Sequence, residues 1–291
     1  MAKVAFLGLG VMGYPMAGHL LKKGGHEVTV YNRSAAKAAQ WVKEYGGKSA
    51  PTPKSAAEGC DFVMMCVGND DDIRSVVYGD AGALAGLKKG ALLVDHTTAS
   101  AIVARELHAE CRKKGVGFVD APVSGGQAGA VNGQLGIMCG GEQADFDRAK
   151  PVLDIYAKSC ALIGAPGAGQ LTKMVNQIAI AGLLQGLSEA MNFGKRAGLD
   201  MEKVISVISK GAAGSWQMEN RWKNMNEVKF DGFGFAVDWM RKDLGICLEE
   251  AKKNGARLPA TALVDQFYAQ VQARGGQRWD TCSLMHLLAK D

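Results

Sequence analysis

The chain holds neither a CxxC pair nor an HxxxH or HExxH pair. The common zinc sites rest on those spacings, so no metal site is expected from its five histidines, at 19, 26, 96, 108 and 286. Its seven cysteines, at 60, 66, 111, 139, 160, 247 and 282, are odd in number and scattered. Isolated thiols of this kind argue against a disulfide framework and for a reducing compartment. No apolar run approaches the ~18 residues that a spanning helix needs. The N-terminus passes directly into a strand pattern, with no charged segment followed by an apolar one. A cytoplasmic protein without a membrane segment is therefore expected. A large excess of one charge is missing too: 34 basic against 29 acidic residues leave +5, too mild to imply a nucleic-acid partner.

What is present is globular composition with one outlier. Apolar residues at 47% and charged residues at 22% exclude a disordered chain, a coiled coil and a collagen-like fibre. Glycine, at 38 of 291 residues and without a triplet period, points to many tight turns and close backbone approaches. The length corresponds to about two domains.

The first half alternates short runs rich in Val, Phe and Leu with amphipathic stretches. Strands are predicted at 4–7, 27–31, 62–67, 92–95, 117–120, 135–139 and 161–163, with helices at 13–23, 35–45, 100–113 and 142–155. Alternation of this kind reads as βαβ units around a parallel sheet. From 170 to 197 there is no proline and no strand pattern, which predicts a helix of roughly 25 residues. Beyond it, helical patterns run over 200–210, 216–227, 237–254, 259–274 and 280–289. The expected fold is an α/β, Rossmann-type dinucleotide-binding domain at 1–164, a long connecting helix at 165–196 and an all-α domain at 197–291.

Four places carry chemistry. Gly8-Leu9-Gly10-Val11-Met12-Gly13 follows a predicted strand and opens a predicted helix. There the first glycine permits the turn, the second lets a pyrophosphate approach, and the third lets helix and strand pack closely. The helix N-terminus then offers free N–H groups to the phosphates. At the end of the next strand, a carboxylate would accept the ribose hydroxyls of NAD. Here Asn32, Arg33 and Ser34 stand instead, with Lys37 close behind. A guanidinium binds a ribose phosphate that a carboxylate repels, so NADP(H) is favoured over NAD(H). Ser34 also reads as the N-cap of the following helix.

Third, Asp120-Ala-Pro-Val-Ser124-Gly125-Gly126-Gln127 reads as a strand followed by a loop poor in side chains. Its hydroxyl and N–H donors suit a carboxylate. Fourth, Lys173 and Asn176 are three residues apart at the start of the long helix and share a face, with Gln177 beside them. A lysine on a largely buried helix suits proton exchange with a carbonyl oxygen, although a lone lysine more often snorkels to solvent. His96, Cys66 and Cys139 read as packing residues, and Trp216 and Phe235 as core or interface.

Taken together, GLGVMGYPM at 8–16, Thr97-Thr98 after strand 92–95, DAPVSGG at 120–126, GxxxKxxN at 169–176 and Lys242-Asp243-Leu244 resemble the β-hydroxyacid dehydrogenase family along the whole chain. That family includes 3-hydroxyisobutyrate dehydrogenases and tartronate, glyoxylate and succinic semialdehyde reductases. The resemblance implies that Lys173 is the catalytic acid/base. Ser124, Gly125 and Gly126 would hold the substrate carboxylate, and Asn176 would place the substrate oxygen. It also implies that Thr98 and Lys242 contact the cofactor near the nicotinamide, with Val67, Gly68 and Asn69 lining the same pocket. Two departures stand out: Gln177 where the family often has a second asparagine, and Thr97-Thr98, preceded by His96, for a serine-threonine pair.

The expected activity is NADP(H)-dependent reduction of small aldehyde-acids to hydroxy acids and the reverse, by a homodimer or homotetramer. An NAD(P)-dependent 3-hydroxyisobutyrate dehydrogenase, an imine-reductase-like enzyme and a non-catalytic NADP-binding interaction module are the alternatives. Lys173 weighs against the imine reductases, in which another residue usually takes its place.

Overall fold

A computed structural model describes residues 1–288. The expected last helix and last domain run on to 289 and 291, and residues 289–291 lie outside the described residues. The chain divides into two compact units, Met1–Lys173 and Met174–Asp291. The division thus falls inside the long helix.

The first unit runs β1 (Lys3–Leu7), α1 (Gly13–Lys22), β2 (Glu27–Tyr31), α2 (Ala35–Tyr45), β3 (Lys48–Ser49), α3 (Pro53–Ala57) and β4 (Phe62–Met65). It continues with α4 (Asp70–Val77), α5 (Ala83–Gly86), β5 (Leu92–Asp95), α6 (Ala101–Lys113), β6 (Gly117–Asp120) and β7 (Val123–Ser124). Then come α7 (Gly126–Asn132), β8 (Leu135–Gly141), α8 (Gln143–Leu153), β9 (Ala157–Gly164) and the start of α9 (Ala168–Arg196). The strands order as β3-β2-β1-β4-β5-β6-β8-β7, with β9 on β8.

Successive residues of β1 face opposite ways, as a strand requires. Val4 and Phe6 join one core layer with Met16, Leu20 and Trp41. Ala5 and Leu7 join the other with Val63, Leu93 and Leu107. Burial on both faces is what a central parallel strand needs, and it explains the unbroken apolar runs.

The sheet is not parallel throughout. β6 and β7 both run antiparallel to β8, in one continuous register from Val119↔Gly141 to Ser124↔Gly136. Pro122 lacks an N–H and separates the two strands, yet its carbonyl still accepts from the Met138 N–H at 3.1 Å. The predicted strand at 62–67 stops at Met65, and the one at 161–163 extends over Ala157–Gly164.

In the second unit α9 continues to Arg196, 29 residues in all, followed by α10 (Met201–Ile208), α11 (Trp216–Glu227), α12 (Val237–Asn254) and α13 (Pro259–Ala273). Their apolar faces, including Leu184, Met191, Met240, Leu244, Val264 and Tyr268, form a single core. The pattern at 280–289 is a 3-10 turn over Thr281–Leu287, capped by the Asp280 carboxylate, and not an α-helix. Among the described residues no helix is long and apolar enough to cross a membrane.

Candidate active site

The parallel strands end together at Leu7, Tyr31, Met65, Asp95 and Asp120. Strand order reverses between β1 and β4, and open α/β sheets bind ligands at such a point. The glycine turn lies there. The Gly8 N–H donates to Tyr31 O at 2.9 Å. Its φ is +95°, and a Cβ on it would collide with the Cys66 carbonyl oxygen. A Cβ on Gly13 would collide with the Gly8 carbonyl and stand 2.9 Å from the Phe6 ring. Gly10 differs, because a Cβ there meets nothing within 4 Å. Gly8 and Gly13 are glycine because the protein packs on itself, whereas at Gly10 no protein atom stands where a Cβ would point. Val11 and Met12 complete the turn, Val11 exposed.

Asn32 has a job the sequence did not reveal. Its Oδ1 accepts the Leu9 N–H at 2.9 Å and its Nδ2 donates to Ser34 O at 3.2 Å, so the side chain ties the glycine turn to the end of β2. Arg33 projects outward with its side chain 89% exposed, and its Nη1 lies 3.4 Å from Asp72 Oδ1. Ser34 occupies the N-cap position of α2, but its hydroxyl makes no capping bond. Lys37 is exposed in the first turn of α2. Asn69 caps α4, its Oδ1 accepting the Asp72 N–H at 2.9 Å.

A second cluster fixes the start of α9. Asp120 is fully buried, and its two oxygens accept the Gly167 N–H at 2.7 Å and the Gln170 N–H at 2.9 Å. A Cβ on Gly169 would collide with Met138 O and stand 2.8 Å from Asp120 Oδ2, so only glycine lets the helix come this close. Burial pushes the Asp120 carboxyl up to about 6, against the N–H groups of Gly167 and Gln170, which favour its charged form.

Gln170 then clamps the turn after β5. Its Oε1 accepts the Ala99 N–H at 3.0 Å and its Nε2 donates to Thr97 O at 2.7 Å. Thr97 Oγ1 accepts the Val67 N–H at 3.0 Å, which links this turn to the segment holding Val67, Gly68 and Asn69. Thr98 follows, half-buried. Lys173 lies three residues past Gln170 on α9 and is 7% exposed.

Asp95, which accepts the Thr97 N–H at 2.9 Å, is pushed up to about 7 by burial. His96 is buried and driven down to about 4 by desolvation. Its Nδ1 lies 2.7 Å from Ala121 O, a pure acceptor, so Nδ1 carries the proton and Nε2 accepts from Tyr156 OH at 2.8 Å.

The predicted loop at Ser124–Gln127 is a strand end followed by a helix start. Ser124 closes β7, Gly125 (φ +127°) is the N-cap of α7, and Gly126 (φ +60°) opens it. Glycines weaken a helix signal, which is why α7 was not legible. In the second unit, Asn176 Nδ2 donates to Gln177 Oε1 at 2.8 Å, and Gln177 Nε2 donates to Asp243 Oδ2 at 2.7 Å. Lys242 Nζ lies 3.1 Å from Asp243 Oδ1. Trp216, expected in a core or interface, is 53% exposed under the Arg221 guanidinium, while Phe235 packs against the core.

The supporting roles of Asp120, Gln170 and Asp243 escaped the sequence reading. An acid ending an apolar run is the one hint the sequence offers, and the partners lie 47 to 73 residues away.

Residues 3–164 match the family described as the NAD binding domain of 6-phosphogluconate dehydrogenase. Residues 167–288 match the one described as NAD-binding of NADP-dependent 3-hydroxyisobutyrate dehydrogenase. An uncharacterized oxidoreductase of Shewanella frigidimarina is 64% identical over 290 residues, covering 100% of this chain and 99% of the relative. The 2-hydroxy-3-oxopropionate reductase of Escherichia coli is 33% identical over 286 residues, covering 98% and 97%. Among solved structures, the 3-hydroxyisobutyrate dehydrogenase of Mycobacterium tuberculosis superposes with a TM-score of 0.89 at 29% identity, covering 100% of both chains. The chain belongs to the β-hydroxyacid dehydrogenase family and is an NAD(P)-dependent dehydrogenase acting on CH–OH groups.

Proposed function

We propose that the protein reduces a small aldehyde-acid to the hydroxy acid with NADPH, and runs the reverse reaction with NADP. The observation that carries this reading is the setting of Lys173: a buried lysine on a helix whose first turn is held by the Asp120 carboxylate and the Gln170 clamp. When bound, the reduced nicotinamide supplies a hydride to the carbonyl carbon. Lys173 donates a proton to the carbonyl oxygen and takes it back in oxidation. The Ser124 hydroxyl and the N–H groups of Gly125 and Gly126 hold the carboxylate, and Asn176, one turn along from Lys173, orients the oxygen. Thr98 and Lys242 serve the nicotinamide half of the cofactor.

The preference for NADP rests on Arg33 and Lys37 and on the lack of an acid at position 32. Asp72 lies near Arg33, but an ion pair so exposed is weak, and a ribose phosphate outcompetes it. The name of the Escherichia coli relative supports an aldehyde-acid substrate. The second family description supports 3-hydroxyisobutyrate oxidation as the alternative. Exposed Val175, Leu183 and Phe193 on α9, interspersed with Gly182 and Gly186, support a homodimer or homotetramer.

The test is oxidation of NADPH and NADH with glyoxylate, succinic semialdehyde, methylmalonate semialdehyde and tartronate semialdehyde. Turnover of at least one, faster with NADPH, is expected. No oxidation with any of them overturns the reading of a small aldehyde-acid as the substrate.

A further inference from the structure

We propose that His19 is a positioning residue: from α1 it holds the C-terminal end of α7, and so fixes the groups at the other end that take the substrate carboxylate. The inference rests on the reading above, in which the Ser124 hydroxyl and the Gly125 and Gly126 N–H groups receive that carboxylate.

Left to itself, α7 has little to keep it in place. It is seven residues long, Gly126–Asn132, far shorter than a helix that persists unaided in water. Gly126 and Gly129 lower its intrinsic stability further. Ala130 is its one buried residue, so packing against the sheet adds little.

The end of α7 is met by a side chain 111 residues earlier in the chain. His19 Nε2 lies 3.0 Å from Ala130 O and 3.0 Å from Val131 O. Carbonyl oxygens only accept, so Nε2 carries a hydrogen and shares it between the two. Both belong to the last turn, where a helix cannot satisfy its own carbonyls. Gly133 follows with φ +63°. A Cβ on it would stand 2.9 Å from Lys23 Nζ and 3.4 Å from His19 Nε2. Glycine there leaves room for two donors of α1 at the negative end of the α7 dipole.

α1 is the firm partner of the two. Its Met16, Ala17 and Leu20 are buried in the core, and a Cβ on Gly18 would collide with the Tyr45 ring. His19 lies six residues past Gly13, ~9 Å along the helix that opens at the glycine turn. The donors for the carboxylate are thereby referred to the same helix that receives the cofactor phosphates. Hydride transfer depends on such a common frame, because carbonyl carbon and nicotinamide must meet in one geometry.

The full-length protein with His19→Leu and His19→Gln tests this. Leucine removes the donor, whereas the glutamine amide keeps an N–H at similar reach. Amide hydrogen exchange over residues 125–134 is read beside NADPH binding and the kinetics of the aldehyde-acid that the substrate screen identifies. In His19→Leu the α7 amides should exchange about tenfold faster, and KM for the aldehyde-acid should rise about tenfold, the worth of one ordinary hydrogen bond. The NADPH Kd and kcat should stay near the parent values, and His19→Gln should restore both exchange and KM. His19→Ala takes the place of His19→Leu if that variant fails to fold.

Parent exchange rates in His19→Leu overturn the anchor. Faster exchange with the parent KM overturns its bearing on the carboxylate. A fall in NADPH affinity or kcat as large as the rise in KM points to general damage and overturns the proposal, as does a glutamine variant that behaves like leucine. If the parent protein turns over no aldehyde-acid, the functional reading fails, while exchange still decides whether His19 holds α7.

Discussion

Gly8, Gly10 and Gly13 lie within six residues of one another and owe their identity to different causes. At two of them the protein's own atoms forbid a side chain, whereas at Gly10 nothing in the protein does. Gly10→Ala should therefore leave stability within ~0.5 kcal/mol of the parent in denaturant melts. The same change should weaken NADPH binding at least tenfold, because the added methyl occupies the phosphate's approach. Unchanged affinity in a calorimetric titration would contradict the assignment of the turn. Arg33 is tested by charge reversal. Arg33→Asp should raise the Kd for NADPH far more than that for NADH, since only NADPH presents a ribose phosphate. Equal losses for both would refute phosphate recognition.

The ends of β5 and β6 hold two carboxyls that burial disfavours in their charged form. Asp95 moves from 3.8 to about 7. Between those values the folded protein retains a proton that the unfolded chain has released. The contribution of Asp95 is thus most favourable at low pH and is lost as pH rises towards about 7. Surface carboxylates such as Asp61 and Glu106, held below their ordinary range by Lys88 and Arg74, act in the opposite direction. The difference between parent and variant isolates the buried group. Asp95→Asn keeps an oxygen for the Thr97 N–H and should gain Tm relative to the parent as pH rises from 5 to 7. A Tm difference that does not change with pH would show that Asp95 does not titrate there.

Elements of this kind divide sharply in legibility. β1, β5 and β6 are buried on both faces and read directly from their apolar runs, as do α12 and α13 from their periodicity. β7 and α7 do not, because Pro122 interrupts one ladder and three glycines at 125, 126 and 129 mask the helix. α4 opens with Asp70, Asp71 and Asp72, which favour a helix N-terminus through the backbone dipole rather than through any apolar pattern.

Over the whole chain, the order of α/β unit, long helix and helical unit follows from patterning that local physics dictates. The position of the division does not. It falls within α9, a helix continuous in sequence signal, because the first unit takes the helix's opening turns into its own hydrogen-bond network through Asp120 and Gln170. Among the candidate site residues, Gly8, Gly13 and Gly126 are glycine for reasons of backbone geometry and close packing, the kind of demand a sequence displays. The supports of the site are not displayed in this way, since a buried acid and the N–H groups it receives are brought together only by the fold.

Steady-state turnover of Lys173→Ala, read alongside its NADPH affinity, bears most directly on the proposed chemistry. With the acid/base removed, kcat should fall by about 10²–10⁴ while the NADPH Kd stays at the parent value. A variant that keeps the parent kcat would remove Lys173 from the reaction and the proposed mechanism with it.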